Sequence, residues 1–401
     1  MVLASARCLR THSEALEAAR AFTASIEPGA GERDRSGAVP VKELAEFDRS
    51  GLAAMTVPTT FGGGGLGPVT LSEVTRIIAA ADPALAQLPQ AHYMAVDVLR
   101  LAGTERQQSA LFPAVVDGGR IGPVLAERGG QHAQDLKTRL VNDDGRLYLQ
   151  GTKYYCTGAI TSHWVAASAL DGDGSLVLAF VDRHTPGVHI DEDWTAMGQR
   201  ATVSGTTTLD RVPVDAGLVI EFGKVFETPQ LIGARAQLVH AAIEAGIAEG
   251  ALADARRFVR TRGRPFFEAV RGGWAQSAAD DPHTVLRFGQ LRTKVTAAVQ
   301  LLRWAADVLE ELGLHPADAD AAARGSLAVA QAKAFASEVA VDVASQLFAL
   351  SGASGTDRRF DLDRHWRNAR THSVHDPVDW KYHHIGAYEL SDTIPPNHAQ
   401  L

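Results

Sequence analysis

Apolar positions Leu71, Val74, Ile77, Ile78 and Ala81 recur at three- and four-residue steps and predict an amphipathic helix over 71–81. Asp82-Pro83 ends it, because a residue before proline is pushed out of helical backbone. Met94, Val98, Leu99 and Leu101 predict another helix after His92. From about 120 the period changes. Leu147 and Leu149 alternate with polar neighbours over 146–150, which reads as a strand. Short apolar runs at 164–170 and 176–181 are bounded by Asp171-Gly-Asp-Gly174 and Pro186-Gly187, which predicts hairpins. The Thr- and Val-rich stretch 202–214 predicts one or two further strands. Beyond 226 the helical period returns. Phe288, Leu291, Val295, Ala298, Leu302, Ala305 and Leu309 hold it until Gly313 and Pro316. An Ala-rich helix over 317–350 follows and stops at Ser351-Gly352. Small side chains let helices approach closely, so this pair belongs in a tight bundle.

The order helical, β, helical predicts an α+β fold. An N-terminal helical domain (1–118) precedes a middle β-barrel or sandwich domain (119–225), and a C-terminal helical bundle with its tail (226–401) makes most oligomer contacts. Strands and helices do not alternate, so a doubly wound sheet is excluded. That bears on Gly62, Gly64 and Gly67, which satisfy G-x-G-x-x-G ahead of a helix. A dinucleotide loop needs strand, turn, helix and a second parallel strand. Pro58 and Pro68 interrupt that path, and the run is read as a plain Gly-rich turn.

Hydrophobic residues at 45% and charged residues at 21% exclude general disorder. A formal net charge of −8 argues against nucleic acid as the main partner. The two cysteines, Cys8 and Cys156, cannot build a disulfide framework, which points to a reducing compartment. No apolar run reaches the ~18 residues of a membrane span, and no signal-peptide core is present. The expectation is a cytoplasmic enzyme with no membrane partner.

Three strings in chain order resemble the acyl-CoA dehydrogenase superfamily. They are Gly51-Leu-Ala-Ala-Met-Thr-Val-Pro58 with Phe61-Gly62-Gly63; Met197-Gly198-Gln-Arg200 with Ser204-Gly-Thr206 and Asp210-Arg-Val-Pro213-Val214; and Phe258-Val-Arg-Thr-Arg262-Gly-Arg264-Pro-Phe266. The resemblance implies a helical domain, a β domain and a four-helix C-terminal bundle. It also implies flavin in the cleft between them and a homotetramer. Dehydrogenases of this superfamily usually carry a Glu base near the C-terminus. The corresponding stretch here contains Trp366-Arg367-Asn368-Ala-Arg370-Thr-His372-Ser-Val-His375-Asp376-Pro377 and no Glu. That string is similar to the reduced-flavin monooxygenase branch, which includes enzymes of dibenzothiophene oxidation and sulfur acquisition. The resemblance therefore implies a two-component monooxygenase. Reduced FMN, or FAD, would come from a separate NAD(P)H-dependent reductase, and O2 would be activated as a C4a-hydroperoxide to oxygenate a small organic, organosulfur-type substrate. A flavin dehydrogenase acting on acyl-CoA and a non-catalytic flavoprotein-like scaffold are the competing readings.

The candidate residues follow. His92, in an uncharged stretch, reads on its own as a core histidine satisfied by a backbone carbonyl; the resemblance makes it a hydrogen-bond donor to the peroxide. Thr157 reads as a β-branched strand residue, or by resemblance as the hydroxyl near flavin N5. His375 has the character for acid–base work near neutral pH. His372, three residues earlier, would share a helical face with it and support it. Arg264 is the phosphate candidate, reaching the flavin of a neighbouring subunit, or else one of a solvated run of arginines. Ser204, Gly352, Ser354 and Gly355 would let backbone approach the ribityl or phosphate portion. By resemblance Tyr155 and His92 would line the substrate pocket, and Trp194, on its own a plain core residue, would stand at its mouth. No metal site is expected: the histidines at 365, 372, 375, 383 and 384 lack a convergent ligand set. Two positions depart from the branch: Pro123 stands where Asn is common, and Ser354 where some members carry Arg.

Overall fold

The computed structural model describes residues 6–132 and 135–401. Seven helices come first: α1 (His12–Ile26), α2 (Ala30–Ser36), α3 (Val41–Ser50), α4 (Pro68–Ala81), α5 (Pro83–Gln87), α6 (Gln90–Ala102) and α7 (Glu105–Val116). Thr11 and Glu14 close a capping box at the start of α1. The helix expected over 71–81 begins earlier, at Pro68, where a missing N–H costs nothing. It ends at Asp82, whose carboxylate then caps α5 by accepting from the Ala84 and Leu85 N–H groups. The helix expected after His92 starts before it, so His92 lies inside α6.

The Gly-rich run is a packing turn. The N–H groups of Gly62, Gly63, Gly64 and Gly65 donate to carbonyls of Thr59, Pro58, Ala54 and Val57, so none is turned outward to cradle a phosphate. A Cβ at Gly64 would lie 2.4 Å from the Leu9 carbonyl oxygen, which explains the glycine. The α4 N-terminus is itself occupied by an anion of the same chain: the Val69 N–H donates to Glu310 at 3.2 Å.

The eight strands are β1 (Ile121–Val124), β2 (Arg139–Asp143), β3 (Arg146–Lys153), β4 (Trp164–Leu170), β5 (Leu176–Asp182), β6 (Val188–Ile190), β7 (Thr207–Val214) and β8 (Val219–Ile220). They form one sheet in the order β6-β7-β3-β2-β4-β5-β8, with β1 pairing β4 in parallel. The expected hairpin of β4 and β5 runs in register from Trp164 opposite Asp182 to Leu170 opposite Leu176. Pro123 sits in β1, which pairs with one strand only, where a missing donor is tolerated. The stretch 202–214 yields a single strand, β7. Its first residues are held instead in a tight turn between Gln199 (φ +51°) and Val203 (φ +45°).

The C-terminal part contains α8 (Ile232–Thr261), α9 (Phe267–Arg271), α10 (Pro282–Leu312), α11 (Ala319–Ser351), α12 (Asp363–Ser373) and α13 (Val378–Ser391). The three long helices α8, α10 and α11 pack together, and α12 and α13 pack against α11. Gly250 lets α8 close on α4: a Cβ there would meet the Ala80 carbonyl at 2.2 Å. One apolar core therefore runs from Leu71, Val74 and Ile78 through Val239, Ile243 and Ile247 to Val343 and Leu347. α11 is long and apolar enough to cross a membrane, which the sequence reading did not anticipate. In the fold 56% of its most apolar window is buried, and its side chains belong to this core.

Candidate active site

The middle domain contributes a hydroxyl-lined turn. After β3 the chain reaches Tyr155, forced to φ +58°, and turns at Thr157-Gly158. Two backbone bonds stitch this turn to the segment before β7: Cys156 N–H to Gly205 O and Gly158 N–H to Thr202 O, both at 3.1 Å. Thr157 Oγ1 then lies 2.8 Å from Ser204 Oγ, Ser204 Oγ lies 2.8 Å from Thr202 Oγ1, and Thr202 donates to the Gln199 carbonyl at 2.7 Å. Thr202 and Ser204 are buried, whereas Thr157 is half-buried at the outer end. Trp194 is fixed from the same carbonyl, donating Nε1–H to Gln199 O at 2.9 Å. Its ring meets Tyr155 edge to face at 6.2 Å. Arg128 lies over both Tyr154 and Tyr155, 4.6 and 4.7 Å from the ring centres.

The C-terminal domain contributes a histidine cluster. His372 is buried near the end of α12; its Nδ1 lies 3.0 Å from Glu244 Oε1. Lys333 donates to the same Glu244 oxygen at 2.7 Å, and both partners are fully buried. Burial works against the charge of Glu244, but Lys333 and His372 hold it below the usual carboxylate range. Burial lowers His372, while the Glu244 carboxylate beside Nδ1 works the other way. On its other side His372 Nε2 meets His240 Nδ1 at 3.1 Å and the Gln87 amide at 3.0 Å. His240 is driven well below its ordinary value by burial and by the neighbouring histidines. His375 stacks on it, ring centres 4.1 Å apart, and stays 44% exposed. The helix ends before His375, so a shared helical face does not hold the pair together, as the spacing had predicted; His240 does.

Contacts between domains bring these two clusters toward each other. Asn368 of α12 accepts the Gln199 N–H, and Arg367 donates to the Met197 carbonyl. A Cβ at Gly158 would meet Leu88, whose neighbour Gln87 bonds His372. The Thr157 turn and the histidine cluster thus flank Gln87-Leu88.

His92 does not join them. Its Nε2–H donates to the Ala53 carbonyl at 2.9 Å, and its Nδ1 accepts the Ile121 N–H at 3.1 Å. The ring has no exposed surface, and its two bonds tie α6 to Ala53 and to β1. Burial pulls its pKa from 6.5 to about 4. The unfolded chain therefore takes up the proton first as pH falls. The stabilisation from the neutral ring is complete above pH 6.5 and is lost as pH falls toward 4, a difference of ~3 kcal/mol. Urea unfolding at pH 7 and pH 4.5 is expected to show a smaller acid loss in His92→Gln, whose amide supplies one donor and one acceptor but does not titrate. An equal loss in both proteins would contradict this.

Arg264 lies in the exposed segment between α8 and α9 and makes no ion pair with a described residue. Gly352 and Ser354 are exposed in the turn after α11; Gly355 is buried against Ser351. Among the described residues no group of three or more His, Cys, Asp or Glu side chains is arranged to hold a metal ion.

Three family models cover most of the chain: "Acyl-CoA dehydrogenase, N-terminal domain" matches 10–119, the middle domain 125–212 and the C-terminal domain 238–380. A dibenzothiophene monooxygenase of Rhodococcus erythropolis is 33% identical over 384 residues, covering 91% of this chain and 90% of that protein. The chain belongs to the acyl-CoA dehydrogenase family. Within that family it is also 31% identical, over 95% of its length and 96% of the relative's, to a probable FMNH2-dependent monooxygenase of Pseudomonas putida. FMN-bound TdsC from Paenibacillus sp. A11-2 superposes with a TM-score of 0.91 at 27% identity, covering 96% of this chain and all of that one.

Seen as a member of this acyl-CoA dehydrogenase family, the chain has site residues that the sequence reading passed over. Thr202, His240, Glu244 and Lys333 have no motif of their own. Only the charge of Glu244 and Lys333 inside Ala-rich helices could have signalled them, since buried charges are rare unless paired. The residues present fit a flavin. The hydroxyl at Thr157 and the unpaired guanidinium of Arg264 suit a ring edge and a phosphate. Both amide atoms of Gln199, in the turn that leads to Thr202, are buried without a partner among the described residues.

Proposed function

We propose that this protein is a two-component monooxygenase. It takes reduced FMN from a separate flavin reductase and inserts one atom of O2 into a small organosulfur compound. The observation that carries the reading is the base inventory beside the hydroxyl turn. The glutamate nearest the cluster, Glu244, has no exposed surface and is engaged by Lys333 and His372, so it is not a base for a bound acyl group. Within the histidine cluster the accessible ring is His375. Reduced flavin supplies the electrons and the oxygen chemistry. The chain's own residues do the rest. Thr157 holds the ring edge, with Ser204 behind it. Tyr155 and Trp194 form an aromatic wall that excludes water and seats substrate. His375 moves a proton at its exposed imidazole, with His372 and His240 fixing its place. Gly352 and Gly355 leave room for backbone near the ribityl chain, and the absence of Arg at Ser354 leaves phosphate recognition to Arg264.

Arg264 acts across a subunit interface in this reading. Phe266 (61% exposed), Phe267 and Trp274 (67% exposed) present apolar surface next to it, which a second copy covers in a homotetramer. Arg264→Ala is expected to weaken FMN binding by ~1–3 kcal/mol, the scale of a charge-assisted hydrogen bond. Fluorescence titration with FMN checks this, and an unchanged Kd would remove Arg264 from the site. The function itself is tested by turnover with a generic reductase, FMN and an organosulfur panel. Sulfoxide, sulfone or sulfonate product supports it; reduction of bound FAD by an acyl-CoA would replace it with the dehydrogenase reading.

A further inference from the structure

We propose that Thr202 and Ser204 are positioning residues that orient the hydroxyl proton of Thr157, making Thr157 an obligate acceptor and giving the site a preference for reduced over oxidised flavin. The inference rests on the reading that Thr157 meets the N5 edge of the ring. It starts from a fixed end. A backbone carbonyl only accepts, so the single proton of Thr202 goes to Gln199 O at 2.7 Å. Thr202 Oγ1 must then accept from Ser204 at 2.8 Å, which uses the one proton of Ser204. Ser204 Oγ must in turn accept from Thr157 at 2.8 Å. The reverse orientation would set two oxygen lone pairs against each other, or leave a buried hydroxyl proton unpaired. Every proton in the row points inward, and Thr157 has only lone pairs left for a ligand.

The surroundings hold this row rigidly. Thr202 is 1% and Ser204 7% exposed, so water does not compete for their protons. The segment that carries them runs from Gln199 at φ +51° to Val203 at φ +45°, backbone a β-branched residue adopts only under constraint. The bond from Gly158 N–H to Thr202 O ties the two turns of the site together.

A reduced flavin carries N5–H, a donor; an oxidised flavin presents a bare N5 lone pair. An acceptor-only Thr157 pairs with the first and opposes the second. A protein that receives reduced flavin and must release the oxidised form is served by that difference.

The test measures Kd for FMN in both redox states, reduced titrations being anaerobic, and the reduction potential of bound FMN. Wild type is expected to bind reduced FMN at least about tenfold more tightly, equivalent to ~30 mV for a two-electron couple. Thr202→Val removes the inward acceptor and keeps the shape; Trp194 still satisfies Gln199 O. Ser204 can then turn and donate to Thr157, which frees the Thr157 proton for the oxidised ring. The preference should fall several-fold, mainly through tighter binding of oxidised FMN. Ser204→Ala should act in the same direction if Thr202→Val does not fold, and Thr202→Ser should restore the wild-type ratio. A wild-type ratio retained in both Thr202→Val and Ser204→Ala overturns the proposal while leaving the flavin reading intact. Failure of the wild-type protein to bind FMN in either state overturns both.

Discussion

Replacing His375 with alanine is expected to cut oxygenated product by ~10²–10⁴, the usual worth of a positioned acid–base group. FMN binding should stay close to wild type, because the proposed ring and phosphate contacts, Thr157 and Arg264, make no contact with His375 among the described residues. His375 is accessible, whereas the other two rings of its cluster are buried and lowered by burial. The proposed function therefore assigns proton transfer to His375. Electrons that no longer reach substrate should appear as hydrogen peroxide, so oxygen consumption continues while product formation falls. His375→Gln keeps polarity without titration and should not restore product. Product formation by His375→Ala within a few-fold of wild type would show that the proton passes elsewhere.

The second large effect is on stability. Lys333 and Glu244 are both fully buried, and their 2.7 Å bond is the anchor beneath His372. Lys333→Met leaves the Glu244 carboxylate in a dry interior without its main counter-charge. A one-sided break of this kind costs ~3–5 kcal/mol. The double variant Lys333→Met/Glu244→Gln removes the stranded charge and should recover much of that loss, since an apolar or neutral pair of similar volume is often tolerated. Urea unfolding of the wild type, both single variants and the double variant measures the coupling. Equal losses in Lys333→Met and the double variant would mean that the packing of the lysine stem, not the ion pair, sets the cost.

The fold was legible because its signals are local. Apolar steps over 71–81 and 288–309, and the glycine-rich turn between 170 and 176, act within a few residues, so the hairpin and long helices form where their patterns lie. The site was legible only in part, because its geometry is set by distant partners. Thr157 and Ser204 were named from motifs, but the row they form depends on Thr202 and on one carbonyl held at a positive φ. His372 and His375 are three apart in sequence, yet the group that joins them is His240, more than a hundred residues away. His92 too is held by partners far from it in the sequence. The residues alone favoured a core histidine bonded to a backbone carbonyl; the family resemblance favoured a flavin contact; the fold supplies the carbonyl of Ala53 and the amide of Ile121.

The central claim, that this chain oxygenates substrate with reduced flavin, is tested most directly by isotope transfer. The protein is supplied with FMN, a separate NADH-dependent reductase and ¹⁸O2, with dibenzothiophene and a small alkyl sulfinate as probes, and products are weighed by mass spectrometry. An oxygenated product that gains one ¹⁸O atom per turnover is expected, formed only when both reductase and O2 are present. Oxygen consumption that ends entirely in hydrogen peroxide with every probe, or product oxygen drawn from water, would contradict it.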